Sequence, residues 1–442
     1  MALDSWLTKM RSAISTSFQS VRSTMIPDTT ATATTLPLVS RRKENVSILA
    51  FEIAGLMSKL LHLWLSLSDA SLSRLRNDTI ALPGVQKFIS SDENFLLSLA
   101  CADLIETLCS AAASISALSR RCADPSLRQF DLLFKDFADS DCDPYRWTMT
   151  WKEMEAKAKK MNRYVTATAA LYKEMDELAE AERGLRKLCS QTFSAGKVVS
   201  AAGSQQRIFW QRQDVQYLKQ RASLWCCSFD SAVALLARSS FTILARIKQV
   251  FGINDKPTSQ ILSAAAVHPT TIETPAKKSA NFLETSSAML IPPGSTLGAA
   301  ALAAHYASLI VMMERMMWEP KAVGREVREE LYGILPWSVR ALLRARLKGM
   351  SLVEAADAGL AAEWRVTMRQ IMDWLGPIAH GTIRWQGESS FERRSAAVPR
   401  ANVLLLQTLY FANREKVEAA IVELLVGLNY VWRFELCQSL EA

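Results

Sequence analysis

Apolar residues recur at intervals of three and four along most of this chain, and that period predicts helix after helix. Val46 to Ser68, VSILAFEIAGLMSKLLHLWLSLS, is the most apolar stretch. Ser91, Asp92 and Glu93 precede a run of Leu and Ala and mark a helix start. Pro83-Gly84 marks a turn, and Asp124-Pro125 opens a further helix with proline in its first turn. From Trp147 the spacing alternates four and three through Trp151, Met154, Ala158, Met161, Val165, Thr168, Tyr172, Met175 and Ala179. That is a heptad seam on one long helix reaching Leu188, with dense charge on its other faces.

The pattern fails twice. Residues 25–44 are rich in Thr and Pro, and residues 253–294 hold NDKPTSQ and IPPG without an apolar period. Both read as linkers, the second disordered. After it Ser295 caps a helix rich in small residues (Gly298 to Ala304), Pro336 opens the basic helix WSVRALLRARLKGM, and another helix covers Leu352 to Trp374. Gly376-Pro377 introduces an irregular stretch to Arg394, before two apolar helices at roughly 401–413 and 415–434. The expectation is an all-α protein: an N-terminal helix over 1–24, a helical-bundle domain over 45–252, and a second over 295–442.

Composition supports helices. The 442 residues include only 16 Gly and 14 Pro, with 49% apolar and 22% charged side chains, enough for a normal core. The net charge of +8, from 52 basic and 44 acidic residues, is mixed in sign along most helices, as on a solvated surface. Glu52, Lys59 and His62 interrupt the apolar stretch after Val46, and a charge at the bilayer centre costs ~2.5–3.5 kcal/mol, so that helix is assigned to a protein core. Within residues 1–24, Leu3, Trp6, Leu7, Met10, Ile14 and Phe18 share one helical face opposite Lys9 and Arg11. Docking on the protein body, contact with a membrane surface and a transit peptide all fit that face, in that order of preference.

Candidate chemistry is sparse. Cysteines at 101, 109, 122, 142, 189, 226, 227 and 437 show no C-x-x-C spacing and lie far in sequence from the histidines at 62, 268, 305 and 380. They read as reduced thiols of a cytoplasmic or nuclear protein, with no metal or cofactor expected. No phosphate loop, nucleophile elbow, zinc-protease or kinase motif occurs. His305 reads as a packed core histidine. Arg340, Arg344, Arg346 and Lys348 share near-helical spacing suited to an acidic partner or phosphate, against a plainer reading as a solvated face paired with Glu326, Glu329 and Glu330. Arg384 and Trp385 fall in the loop-like stretch from His380 to Arg394, as interface anchors or as a clip on the C-terminal helices.

Several stretches carry a family resemblance. ILAFEIAGLMSKLLHLWLSLSD with SDENFLLSLACADLIETL resembles the first conserved module of the plant phytosulfokine-simulator family, and WKEMEAKAKKMNRYVTATAALYKEMDELAEAER the helix after it. STLGAAALAAHYASLIVMMERM, VGREVREELYGILPWSVRALLRARLK and LLLQTLYFANREKVEAAIVELLVGLNYVW resemble its second module. The resemblance implies a growth regulator linked to phytosulfokine peptide signalling, without catalytic residues, in the nucleus, the cytoplasm or at the plasma membrane. Some members carry an N-terminal glycine suited to myristoylation; Ala2 here does not carry that over. The expected function is a non-enzymatic adaptor contacting signalling proteins, with no nucleic acid. The alternative is a peripheral protein binding anionic lipid through residues 3–21 and the basic helix.

Overall fold

The computed structural model describes residues 45–190, 195–221, 224–252, 281–318, 324–348, 357–394 and 403–441. The helix read over 1–24 and the linker over 25–44 lie outside them. In chain order the helices are α1 (Ala50–Ser66), α2 (Asp69–Arg74), α3 (Pro83–Phe88), α4 (Glu93–Ser119), α5 (Pro125–Arg128), α6 (Phe130–Ser140), α7 (Trp151–Ser190) and α8 (Ala195–Arg221). They continue with α9 (Phe229–Val250), α10 (Phe282–Met289), α11 (Ala303–Trp318), α12 (Arg325–Ile334), α13 (Trp337–Leu347), α14 (Ala358–Arg394) and α15 (Arg414–Glu441). Among the described residues there is no strand, only two isolated bridges, Asn45 with Ser228 and Thr296 with Asn413. The protein is all-α.

Two compact units emerge, and they do not follow chain order: one spans Met1–Trp64, Leu108–Ala245 and Ser390–Arg400, the other Leu65–Thr107, Arg246–Ser389 and Ala401–Ala442. The first holds the long helix. Thr150 caps α7, its hydroxyl accepting from the Glu153 amide while the Glu153 carboxylate takes the Thr150 amide at 2.9 Å. The helix starts at Trp151, four residues after the seam does, because Asp143 holds the amides of Trp147 and Thr148 in a preceding loop at 2.8 Å each. Met154, Met161 and Thr168, one heptad apart, are buried. Towards its C-terminal end α7 pairs with α8, where Glu182 meets Arg212 at 2.8 Å. An aromatic cluster of Phe130, Phe134, Phe137, Trp147 and Phe241 closes this unit, with ring centroids 4.8 to 6.3 Å apart.

In the second unit the core gathers Phe88, Leu99, Tyr306, Ile310, Met313, Leu375, Leu406 and Ile421, all essentially inaccessible. Four sequence expectations are corrected here. Residues 282–289, read as linker, form α10: Phe282 is buried with the Lys248 ammonium over its ring at 5.4 Å, and Ser287 donates to Glu106. Tertiary anchors, not periodicity, hold so short a helix. Ser295 caps no helix, and α11 begins only at Ala303. The amides of Leu297 and Gly298 donate instead to the carbonyls of Ala412 and Tyr410, and a Cβ at Gly298 would sit 2.9 Å from the Tyr410 ring. The small residues of this stretch serve backbone approach, not helix packing.

The irregular stretch expected after Pro377 is helical, since α14 continues through that proline to Arg394. Conversely, 401–413 holds no α-helix but two 3-10 turns, Leu405–Gln407 and Leu409–Phe411. Side-chain acceptors take the amides an α-helix would use: Asp103 that of Leu405 at 3.0 Å, Thr382 that of Leu409 at 2.9 Å, and Gln407 that of Leu404 at 3.0 Å.

Two helices are long and apolar enough to cross a membrane, Ser47–Ser66 and Glu93–Ser119, and 56% and 61% of their apolar windows are buried inside the fold. Burial of Ile53, Met57, Leu60 and Leu63 on α1 matches the core assignment made from its charges.

Candidate functional site: a methionine-lined groove

In the second unit, α11, α14 and α15 converge around a groove of about 350 Å³. Its apolar wall is Met316 and Met317 from α11, Met368 and Met372 from α14, and Trp432 from α15, with Trp318 at its lip. Helical spacing explains the alignment: 368, 372 and 376 are four apart on α14 and share one face. Unbranched thioethers adapt to different shapes at little cost, which suits a surface that must accept another chain. Trp318 is 69% exposed, which leaves most of its indole uncovered at the groove's edge.

The rim is charged and internally paired. His380 Nε2 lies 2.6 Å from Glu314 Oε2, and Arg365 Nη2 donates to Glu435 Oε1 at 3.2 Å. Arg369 and Asp373 continue the rim on α14. The Arg328 guanidinium covers the Trp432 ring at 5.4 Å, yet the buried Trp432 Nε1 has no hydrogen-bond partner. Among the described residues no cluster of three or more His, Cys, Asp or Glu could hold a metal ion.

Beside the groove's helices a buried carboxylate locks α11, α13 and α15 together. Glu418 Oε1 accepts from Tyr306 Oη at 2.7 Å, Ser338 Oγ at 2.8 Å and Arg414 Nε at 2.8 Å. Burial pushes the Glu418 carboxyl up, but the donors Arg414, Tyr306 and Ser338 outweigh it and hold it below the usual value. Burial, then the Glu418 carboxylate, raises the Tyr306 phenol. The arrangement is a clamp.

The sequence-derived residues are placed as follows. Arg340 donates to the carbonyls of Leu335 at 2.7 Å and Gly333 at 2.8 Å, and Arg344 to the Tyr332 hydroxyl at 2.9 Å. Both guanidiniums flank the Tyr332 ring, at 5.6 and 6.0 Å. Arg346 pairs with Glu423 at 2.5 Å, and Lys348 is exposed at the end of α13. Much of this cluster's donor capacity is therefore occupied. Arg384 is exposed, while Trp385 packs against Tyr410 with ring centroids 6.0 Å apart, which makes it a clip on the 3-10 segment. His305 corrects its expectation: it is exposed, bonding the Ile334 carbonyl at 2.9 Å, and its neighbour Tyr306 is the buried one. Leu3, Trp6, Leu7, Met10, Ile14 and Phe18 lie outside the described residues. The groove was missed at the sequence level, although the run VMMERMMW and the pair Met368 and Met372 carried its signal.

Residues 48–104 match DUF3475, a domain of unknown function, and residues 296–384 match DUF668, a protein family of unknown function. The second match contains the α11 and α14 walls of the groove, and neither description names an enzymatic activity. No solved structure matches the chain. Among curated proteins of Arabidopsis thaliana, Protein PSK SIMULATOR 1 is 26% identical over 404 residues, 88% of this chain and 56% of its own length. Protein PSK SIMULATOR 2 is 25% identical over 89% of this chain and 60% of its own length, and Protein PSK SIMULATOR 3 is 24% identical over 89% and 57%. The chain thus spans less than two thirds of these relatives. It is similar in sequence, through both conserved modules and the helices around them, to the plant PSK SIMULATOR proteins.

Proposed function

We propose that this protein is a non-enzymatic regulator of plant growth in phytosulfokine-related signalling, and that it acts by seating an amphipathic helix of a signalling partner in the methionine-lined groove. The observation that carries the reading is the groove itself: four methionines and two tryptophans on three converging helices, with rim charges of both signs. Such a lining suits the apolar face of a helix, and the Glu314, Arg369 and Asp373 rim suits flanking charges of either sign. The names of the relatives support the signalling context.

Gly376 offers the test. Outside its chain neighbours a Cβ there meets nothing nearer than 3.7 Å, and the nearest atoms belong to the Glu314 and Met372 side chains, so Gly376→Phe places a ring at the groove. A photo-crosslinking residue at position 318 maps the segment that docks, and growth response to phytosulfokine reports function in plants. The reading requires one partner segment crosslinked by the wild type, with both crosslink and growth response lost in Gly376→Phe. A blocked groove that leaves both unchanged refutes it.

A further inference from the structure

The first unit contains a second cavity, of about 440 Å³, with the opposite chemistry. Lys157, Lys160 and Tyr164 face it from α7, spaced three and four apart on one side of that helix. Ser228, just before α9, and Ser231 and Arg238 on it face the cavity from one side. Leu224, Leu235 and Met149 supply an apolar floor, and no carboxylate lines it. The Glu153 carboxylate, one turn before Lys157, is held on Thr150 as the α7 cap and lies within electrostatic reach of Arg238 and Lys157, which leaves the cavity net cationic by about two charges.

Three features make this a built anion site. The buried Arg238 Nε has no hydrogen-bond partner, a guanidinium N–H left without an acceptor. The cavity meets the first turn of a 22-residue helix at Ser228 and Ser231 and runs on to Arg238, and the Asp230 carboxylate of that turn is taken up by the amides of Ala123 and Asp124. Its position is fixed from behind, because the Cys227 carbonyl accepts from the Val46 amide at 2.9 Å beside the Asn45–Ser228 bridge. Burial, then the neighbouring Cys227 thiol, pushes the Tyr164 phenol up to about 12, so at neutral pH it keeps its proton.

We propose that this cavity binds a small polyol carrying two or more phosphate groups, either free or as the headgroup of a phosphoinositide. Two lysines and one arginine balance about two phosphate monoesters, each carrying roughly −1.5 to −2 at neutral pH. The serine hydroxyls hydrogen-bond the polyol, and the apolar floor receives its ring face. The site is independent of the groove.

The test uses the full chain, with inositol trisphosphate as the soluble probe and phosphatidylcholine vesicles with or without phosphatidylinositol bisphosphate. Calorimetry should show saturable binding that Lys157→Gln with Lys160→Gln weakens about tenfold or more. Lys159→Gln with Lys173→Gln removes the same charge from the same helix, at lysines paired with Glu155 and Glu177, and should leave affinity within twofold. Arg238→Lys keeps the charge but removes the Nε donor, and should weaken binding by several fold, which guards against misfolding of the double variant. Vesicle binding competed by the soluble probe assigns the lipid headgroup; binding of the soluble probe alone assigns the free phosphate ester. Equal weakening by the two lysine pairs, or no saturable binding of either probe by the wild type, overturns the proposal.

Discussion

Two glycines five positions apart on α14 should respond differently to the same methyl group. In a helix interior Gly→Ala gains about 1 kcal/mol from reduced freedom of the unfolded chain and better propensity. At Gly376 the new Cβ finds only ordinary contacts with the rest of the fold, 3.7 Å to Glu314 Oε1 and 3.9 Å to Met372 Sδ, but it also faces the ring of Pro377, which disfavours helical backbone in the residue before it and offsets part of that gain. At Gly381 the Cβ would fall inside van der Waals contact of the Gln407 carbonyl oxygen and 3.3 Å from its carbon. That carbonyl belongs to a 3-10 turn fixed by Asp103 and Thr382, and a backbone so held yields at a cost of about 1–3 kcal/mol, set against the same 1 kcal/mol gain. Urea unfolding should therefore show Gly376→Ala within about 1 kcal/mol of the wild type. Gly381→Ala should lie about 1–3 kcal/mol below Gly376→Ala. Because the chain forms two units, the midpoint of the transition reporting the second unit is the quantity to compare. If Gly381→Ala is as stable as Gly376→Ala, the helix and the 3-10 turn do not touch as described, and the account of why 401–413 departs from helix falls with it.

Other expectations follow from the same structure. Glu418→Leu strands the fully buried Tyr306 hydroxyl and should cost about 2–4 kcal/mol, whereas Tyr306→Phe leaves Glu418 two donors and should cost about 1–2 kcal/mol; a thermal-melt double-mutant cycle should find the pair less than additive. The folded Glu418 carboxyl titrates below its ordinary value of 4.5, so its stabilisation is complete above about pH 4.5 and lost as pH falls through the lowered value. Acid unfolding of Glu418→Gln should accordingly lose that part of the slope. Asp230→Ala frees the amides of Ala123 and Asp124, now held at 3.1 to 3.2 Å, and should cost about 1 kcal/mol by denaturant unfolding of the first unit. Arg346→Ala breaks a surface pair whose arginine side chain is 60% exposed and should change stability by less than about 1 kcal/mol.

Long periodic segments were legible because their burial is periodic too: the heptad at Met154, Met161 and Thr168 is a buried stripe, and the caps at Asp92 and Asp124 start helices where the spacing placed them. What sequence pattern does not encode is competition for backbone amides by residues distant in the chain. Residues 404–411 have the composition of a helix, but Asp103 and Thr382 hold two of its amides from about 300 and 27 positions away. Pro377 misled in the other direction, since packing on both sides of α14 sustains the helix through a missing donor. At the site level, clustered arginines drew attention that their carbonyl and Tyr332 partners largely use up. Methionines are the commonplace residues of any apolar helix, and Met316, Met368 and Met372 belong to the core while also lining the groove, a double role that only three-dimensional convergence reveals.

Among the described residues, the hydrogen-bonding capacity of several buried groups shows which are structural and which face open volume. A general acid or base must exchange its proton with substrate, which requires a side chain whose acceptors are not already committed. The buried and half-buried carboxylates here are committed to structure: Asp103 to the Leu405 amide, Asp230 to two loop amides, Glu418 to three side-chain donors. Among the buried donor atoms with no hydrogen-bond acceptor, two border open volume, Trp432 Nε1 at the groove and Arg238 Nε at the cationic cavity, and neither titrates in the physiological range. Unfilled donors beside open volume serve to hold an acceptor from another molecule, and they lie at the two places where the lining, thioether in one and cationic in the other, suits recognition.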